Sequence, residues 1–87
     1  MRKEMFSIYD GVAEVFWQPF TAHNPADARR SFEGAMEREQ MSKERKTDYT
    51  LYKVADWNDS SGEVTPLKVP LKICSGFDVN ASQSEAA

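Results

Sequence analysis

The 87-residue sequence is short of the residues that usually build a covalent or metal-bound site. It contains one cysteine, Cys74, and one histidine, His23. An intrachain disulfide and a cysteine-rich or multi-histidine metal centre are therefore excluded within this sequence, and we expect neither a metal nor another cofactor. A single cysteine also suits a reducing compartment.

Long apolar runs and catalytic motifs are missing as well. No apolar stretch approaches the roughly 18 residues of a membrane-spanning helix, and the first residues lack the apolar core of a signal peptide. The four glycines form no phosphate-binding loop. Neither Cys74 nor His23 has a visible catalytic partner, and no carboxylate pair is placed for acid–base chemistry. We therefore expect a protein that is not an enzyme and has no membrane partner.

An excess of basic charge is absent too. The sequence contains 11 Lys and Arg residues and 14 Asp and Glu residues, which gives a net charge of −3. This balance argues against a strongly cationic, non-specific duplex binder. It is compatible with single-strand binding, where a local groove and stacking aromatic side chains suffice.

A complete helix signature is present at residues 24–38. Asn24 can accept a hydrogen bond from a free amide of the first turn, and Pro25 suits the first helical position. We expect Phe32 to anchor the helix in the core and Arg29 to pair with Glu33 on a solvated face. The narrow apolar stripe consists of Ala28, Phe32, Ala35 and Met36.

Strand patterns lie on both sides of this helix. Residues 4–10 and 13–20 predict a hairpin closed at Asp10-Gly11, where glycine tolerates positive φ. Residues 49–57 and 63–67 predict a second hairpin closed by a polar turn that ends in glycine. The polar stretch at residues 37–47 is typical of a solvated loop.

The predicted fold is α+β, in the order β-β-α-β-β, with or without a short fifth strand near residues 71–74. The sheet is antiparallel, and one helix packs on one of its faces. Residues 1–77 form a single domain, and residues 78–87 form a disordered tail with too little apolar content to fold. We expect a homodimer, because two apolar sheet faces and one short helix leave apolar surface uncovered.

Aromatic side chains fall on both faces of the first hairpin. Regular alternation in its second strand places Phe16 with Phe20 on one face and Val15 with Trp17 on the other. One sheet face then packs on the helix. The other is either a dimer contact, which the pattern alone favours, or a platform on which bases stack.

Three segments together resemble a known family. They are the opening M-R-K-E-M-F-S-I-Y-D, the Pro19-Phe20 pair before a polar helix, and the D-Y-T-L-Y strand at residues 48–52 followed by a turn that runs from Trp57 to Gly62. The resemblance is to the small nonstructural DNA-binding proteins of gokushoviruses, microvirus phages with circular single-stranded DNA genomes, and it covers residues 1–75.

This resemblance implies a role in the host bacterial cytoplasm. The family is thought to bind DNA and to favour the switch from double-stranded replication to single-stranded genome synthesis and packaging. No binding motif of the family carries over residue by residue, so candidate site residues come from chemistry alone. A different class of function is an interaction module that binds a phage assembly protein or a host replication protein.

A single-strand site needs flat rings for bases and cations for phosphates. Each candidate has a structural alternative, since the aromatic side chains also suit a core or dimer interface and the arginines also suit ion pairs with Glu33. The candidate stacking residues are Tyr9, Trp17, Tyr49, Tyr52 and Trp57. The candidate phosphate ligands are Arg2, Lys3, Arg29, Arg30, Lys43, Arg45, Lys46 and Lys53.

Overall fold

The computed structural model describes residues 2–85, which form a five-stranded antiparallel sheet and three helices. The predicted α+β class and the main helix are confirmed. The elements in chain order are β1 (Arg2–Asp10), β2 (Val15–Phe16), β3 (Phe20–Ala22), α1 (Pro25–Arg38), α2 (Lys43–Lys46), β4 (Tyr49–Asn58), β5 (Val64–Ser75) and α3 (Gly76–Glu85).

The strand order is β2-β1-β4-β5, and β3 pairs with β1 on the same edge as β2. The central strands β1 and β4 pair along their whole length, from the Arg2/Asn58 pair to the Asp10/Tyr49 pair. Their alternating apolar and polar residues suit a sheet with one buried face. None of the helices in residues 2–85 is long and apolar enough to cross a membrane.

The second strand of the first hairpin is broken in two. Tyr9 pairs with Phe16, whereas Phe6 pairs with Phe20, so one extra residue lies between the two pairings. An extra residue reverses the alternation of side chains. The prediction that Phe16 and Phe20 share a face is therefore wrong. Pro19, which cannot donate to a ladder, lies in the gap.

The turn of this hairpin also differs from the prediction. The positive φ falls at Glu14, at 57°, and not at Gly11. The Asp10 carboxylate accepts hydrogen bonds from the amides of Val12 and Ala13, at 3.0 and 3.1 Å. These bonds from the Ala13 and Val12 amides lower the pKa of Asp10.

Helix α1 begins and ends with recognisable caps. The Asn24 side chain accepts from the Asp27 amide at 2.9 Å, as the sequence predicts. At the other end, the Gln40 amide donates to the Glu37 carbonyl and the Met41 amide to the Met36 carbonyl, which is a Schellman motif. Gln40 takes the left-handed conformation, with φ of 53°.

The core lies between α1 and one face of the sheet. Ala28, Phe32 and Met36 are fully buried, which confirms three positions of the predicted stripe. They form one cluster with residues from β1, β4, β5, α3 and the loop after α1, namely Phe6, Ile8, Met41, Tyr49, Leu51, Cys74 and Val79.

Two short helices replace segments that were predicted to be irregular. Within the predicted loop 37–47, Ser42 caps α2 by accepting from the Arg45 amide. The predicted disordered tail is wrong for residues 78–85, because α3 runs to Glu85 and buries Val79, which is 1% exposed. Residues 86–87 of that predicted tail lie outside the described residues.

Strand β5 is one long edge strand with an outward excursion. Ala55 pairs with Pro66 and Lys53 with Leu71, so the single β4 residue Val54 lies opposite residues 67–70. The predicted strands at 63–67 and 71–74 are therefore parts of one element, and the sheet's fifth strand is β3. The excess residues form a large bulge at the edge of the sheet.

Candidate functional site

The register of the ladders divides the strand residues between two faces. The helix face carries Phe6, Ile8, Leu51 and the other strand residues that pack against α1. We call the opposite side the open face. Its members in the paired strands include Lys3, Met5, Ser7, Tyr9, Phe16, Tyr52, Ala55, Trp57, Val64 and Lys72.

Three aromatic rings meet on the open face. The Tyr9 ring centroid lies 4.8 Å from that of Phe16 and 6.4 Å from that of Tyr52, and the Phe16 and Tyr52 centroids are 5.7 Å apart. We call these three residues the aromatic trio. Phe16 is 43% exposed, and the two tyrosines are half-buried. The trio therefore offers ring surface to solvent.

Local irregularities of the chain build this arrangement. The short pairing of β2 holds Phe16 beside Tyr9, and the register of β1 with β4 brings Tyr52 next to them. Val69 and Pro70, in the large bulge of β5, lie beside the trio. Together these five residues line a shallow hollow of about 350 Å³.

Charge is unequally divided between the two faces. The carboxylates of the described strands belong to Glu4, Asp10 and Asp56, and all three occupy helix-face positions. Lys72 lies directly across the ladder from Tyr52, and Lys3 lies across from Trp57. The open face thus carries lysines and no carboxylate from the paired strands, and Asp59 of the turn after β4 lies 3.9 Å from the Lys3 ammonium. This distribution favours an anionic ligand.

Lys53, a predicted phosphate ligand, is already paired on the helix face. Its ammonium lies 3.0 Å from Glu4 Oε1 and 3.1 Å from Asp56 Oδ1, and its side chain is 17% exposed. Burial alone would lower the pKa of Lys53, but the hydrogen bonds to Glu4 and Asp56 raise it above its ordinary value. Lys53 stabilises the sheet in this arrangement.

Arg29 is also engaged within the fold. Its Nε lies 3.1 Å from Glu33 Oε1, which confirms the predicted pair. Its Nη2 donates to Ser82 Oγ at 2.8 Å and to the Asp78 carbonyl at 3.4 Å, so Arg29 links α1 to α3. Arg30 is 83% exposed at its side chain and lies 3.7 Å from Asp27, on α1 and away from the open face.

The remaining predicted cations are dispersed. Arg2 is exposed at a helix-face position. Lys43 and Arg45 are exposed on α2, which packs beside α3, and Lys46 is buried there. No residue of the described helices lines the hollow at the trio. The predicted basic set is therefore not gathered on one surface.

Two of the predicted stacking residues face the helices. Tyr49 is 5% exposed and belongs to the core. Trp17 packs edge-on against it, with ring centroids 5.3 Å apart, and is half-buried against the core. The Tyr49 ring is therefore inaccessible to a base, and the accessible part of Trp17 lines a groove beside α1 and not the open face. Tyr9, Tyr52 and Trp57 are the predicted aromatic side chains that reach the open face.

Sequence reasoning missed Phe16 and Lys72 as site residues. Phe16 was assigned the wrong neighbour because the bulge before Phe20 leaves no signal in the apolar alternation. Pro19 marks the break but does not give its register. Lys72 follows two prolines in a segment that reads as irregular, so its position opposite Tyr52 depends on pairing that the sequence does not show.

A second groove, of about 480 Å³, lies between α1 and the β2–β3 edge. It is lined by Ile8, Trp17, Phe20 and Ala35, and its rim carries both Arg38 and Glu39. The opposed rim charges favour neither an anion nor a cation, and the aromatic rings that line the groove, Trp17 and Phe20, also pack against the core. The open face is therefore the stronger candidate.

The described residues offer little support for a catalytic or metal-binding site. Burial raises the pKa of the Cys74 thiol to about 11, so it is a poor nucleophile at neutral pH. Within residues 2–85 there is no cluster of His, Cys, Asp or Glu side chains that could hold a metal ion. The arrangement that remains is a surface suited to stacking and to anion contact.

The sequence model of the family described as Phage ORF5 protein matches residues 3–79. The match spans all five strands and both helices that precede α3 in the chain. No curated protein and no solved structure matches the chain.

Proposed function

Because the chain belongs to the Phage ORF5 protein family, we propose that it is a non-enzymatic phage protein that binds single-stranded DNA through its open face. The observation that supports this proposal is the aromatic trio beside Lys72, on a sheet face whose paired strand positions hold no carboxylate. Stacking on such rings is worth about 1–3 kcal/mol per base and tolerates any sequence.

The same geometry favours single strands over duplexes. A stacked base must present its flat face to the Phe16 and tyrosine rings, and bases inside a duplex present only their edges. The cations near the rings are few, so phosphate contacts alone would hold duplex DNA weakly at physiological salt. We expect a clear preference for single strands despite the net charge of −3.

In the phage life cycle this activity would act on the newly made genome strand. A protein that covers the bases of a single strand withholds them as a template for the complementary strand. Binding would therefore favour the switch from double-stranded replication to single-stranded genome synthesis and packaging. The setting that we propose is the host bacterial cytoplasm.

The test is fluorescence anisotropy of a labelled oligonucleotide of about 30 nucleotides, long enough for several sites of the size that single-strand binders occupy. A duplex of the same sequence is measured alongside, at several salt concentrations. Phe16→Ala should weaken single-strand binding by about 1–3 kcal/mol. Lys72→Gln should reduce the slope of log affinity against log salt by about 0.7.

Matched controls separate the site from general surface effects. Phe77 is an exposed aromatic residue on α3, 65% accessible, and Arg30 is an exposed cation on α1. Phe77→Ala and Arg30→Ala should leave single-strand affinity within about two-fold, since surface substitutions away from a site stay within about 0.5 kcal/mol. Equal losses in the site and control variants, or no binding at low salt, would contradict the proposal.

A second candidate is a module that binds a phage assembly protein or a host replication protein. The observation that favours it is the large apolar exposure of Val12, Val69 and Phe77. A contact of this kind would depend little on salt, whereas single-strand affinity should fall steeply with it. Pull-down from infected cells with wild type and Phe77→Ala distinguishes this candidate.

A further inference from the structure

Resting on the proposed function, we infer that the open face holds a single strand at two separate stacking stations. The first station is the aromatic trio with Lys72. The second station is Trp57 with Lys3, farther along the same strands. The ligand class is an unpaired DNA segment long enough to reach both stations.

The second station repeats the chemistry of the first. Trp57 pairs with Lys3 on one side and with Val64 on the other, which places all three on the open face. The Lys3 ammonium lies 5.8 Å from the Trp57 ring centroid, a cation–π geometry. Met5, Trp57 and Val64 contribute to a hollow of about 380 Å³.

The surface between the stations is low and uncharged. The open-face positions there are the cross-ladder pair Met5 and Ala55, of which Ala55 is buried and Met5 is half-buried. The Ser7 hydroxyl is satisfied internally, because it donates to the Trp17 carbonyl at 2.6 Å. A strand that crosses between the stations therefore passes over the apolar Met5 side chain and the buried Ala55, and it meets no carboxylate of the paired strands.

The separation of the stations sets the length of the ligand. Ser7 lies across from Tyr52 and Lys3 lies across from Trp57, so four residues of β1 separate the stations. At about 3.3 Å per residue the distance is roughly 13 Å. A stacked strand advances about 3.4 Å per nucleotide, so the gap corresponds to about four nucleotides, and fewer if the strand is stretched.

The positions of the two lysines suit this path. Lys72 lies at the first station and Lys3 at the second, so each stacked base has a cation beside it for its phosphate. Lys3 also lies 3.9 Å from Asp59 in a partly exposed ion pair, and such pairs contribute little free energy, so a phosphate can replace the carboxylate at small cost. A base that stacks on Trp57 displaces the Lys3 ammonium from the ring toward the adjacent phosphate.

The test measures affinity for oligothymidylates of increasing length, from the dinucleotide through the pentanucleotide to the octanucleotide. Trp57→Leu should weaken octanucleotide binding by about five-fold or more, the loss expected for one stacked base. The same substitution should change dinucleotide binding little, because a dinucleotide is too short to reach both stations and the three rings of the first station offer it the larger stacking surface. Phe16→Ala should weaken binding at every length.

Conservative variants distinguish a loss of stacking from a loss of the folded structure. Trp57→Phe retains a stacking ring and should restore most of the octanucleotide affinity that Trp57→Leu loses. Phe77→Ala is the matched aromatic control, and circular dichroism confirms that each variant is folded. In a Trp17→Phe background, octanucleotide binding should quench the fluorescence of Trp57, and dinucleotide binding should not.

Failure of this inference is distinguishable from failure of the proposed function. If Phe16→Ala weakens binding but Trp57→Leu has no effect at any length, the second station is overturned while single-strand binding stands. If no oligonucleotide binds, or if neither substitution changes the affinity, the proposed function is overturned, and so is the two-station inference that rests on it.

Discussion

At the residue scale, two glycines have opposite structural roles. Gly76 begins α3 against the end of α2, and a Cβ placed on it would overlap the carbonyl oxygen of Lys46. Gly34 lies in the interior of α1, where a Cβ would meet only the Arg38 side chain, at 3.5 Å. The first position requires glycine because of a close approach of two backbones, and the second does not.

Substitution by alanine should separate these roles. We expect Gly76→Ala to lower the free energy of unfolding by about 1–3 kcal/mol, as overpacking does. Gly34→Ala should raise it by up to about 1 kcal/mol, because alanine is the better helix former. Urea denaturation of both variants measures the two changes. A neutral Gly76→Ala variant would mean that α3 does not pack against α2 in solution.

Cys74 provides a second prediction at this scale. Its pKa is raised from 9.0 to about 11 by burial, so the folded state holds the thiol proton more tightly than the unfolded state. This contribution to stability is complete below about pH 9 and is lost as the pH rises toward 11.

Two measurements check the Cys74 prediction. Reaction with a thiol reagent at neutral pH should be slow in the native protein and fast in urea. Between pH 9 and 11, the free energy of unfolding should fall more for wild type than for Cys74→Ala. Rapid modification under native conditions would show that β5 opens readily.

Much of the residue-scale detail follows from local sequence. Asn24, Pro25 and the Arg29–Glu33 pair act within one helix, so spacing alone predicts them. The prediction that Phe16 shares a face with Phe20 is wrong because a bulge lies between them, and a bulge reverses all later alternation on its strand.

At the element scale, α3 depends on a reciprocal cap at its start. The Asp78 carboxylate accepts from both the amide and the hydroxyl of Ser75, at 2.8 and 3.2 Å. The Asp78 amide points back to Ser75 Oγ at 3.4 Å. This is the capping-box arrangement with aspartate at the third position, and it explains why a polar segment forms a helix.

Loss of the cap should therefore loosen α3. Ser75→Ala is expected to lower the free energy of unfolding by about 0.5–2 kcal/mol. The hydrogen bond from the Ser75 amide lowers the pKa of Asp78 below 3.8. The stabilisation from ionised Asp78 is thus present above pH 3.8 and is lost as the pH falls through the lower, folded-state value.

Amide hydrogen exchange across α3 is the direct measurement. Protection of the α3 amides should decrease in Ser75→Ala and, in wild type, at acidic pH. Ser42→Ala, which removes the cap of α2 instead, is the matched control. If both variants leave α3 equally protected, the core contact of Val79 alone holds the helix.

The long elements could be predicted from sequence because their periodicity is regular. Helix α1 and strand β4 agree with their predicted bounds to within one residue. Helices α2 and α3 differ from the prediction because their polar composition is typical of loops, whereas their caps, such as the Ser75-to-Asp78 spacing, favour helices. The length of β5 could not be predicted, because Pro66 and Pro70 usually interrupt a strand.

At the scale of the whole molecule, the division of charge between the faces is the feature that the sequence did not predict. The net charge of −3 describes the chain as a whole. The distribution depends on register, which gathers the strand carboxylates on the helix face. The α+β class was predictable from the order of periodic segments, whereas the location of the site was not.

The homodimer stays a prediction, and sedimentation velocity tests it. We expect a dimer that leaves the open face free, so that Phe16→Ala does not change the sedimentation coefficient and added oligonucleotide does not dissociate the dimer. A dimer that Phe16→Ala or DNA dissociates would place the interface on the open face. That result would favour the dimer contact over the stacking platform.

The proline residues at both edges of the sheet have a consequence for concentrated protein. Pro19 interrupts one edge, and Pro66 and Pro70 lie in the bulged edge strand on the other. Proline lacks the amide that an incoming strand would need, so pairing of another chain is disfavoured at both edges. We therefore expect little edge-to-edge aggregation at high protein concentration, a property that the proposed binding along a genome strand would require.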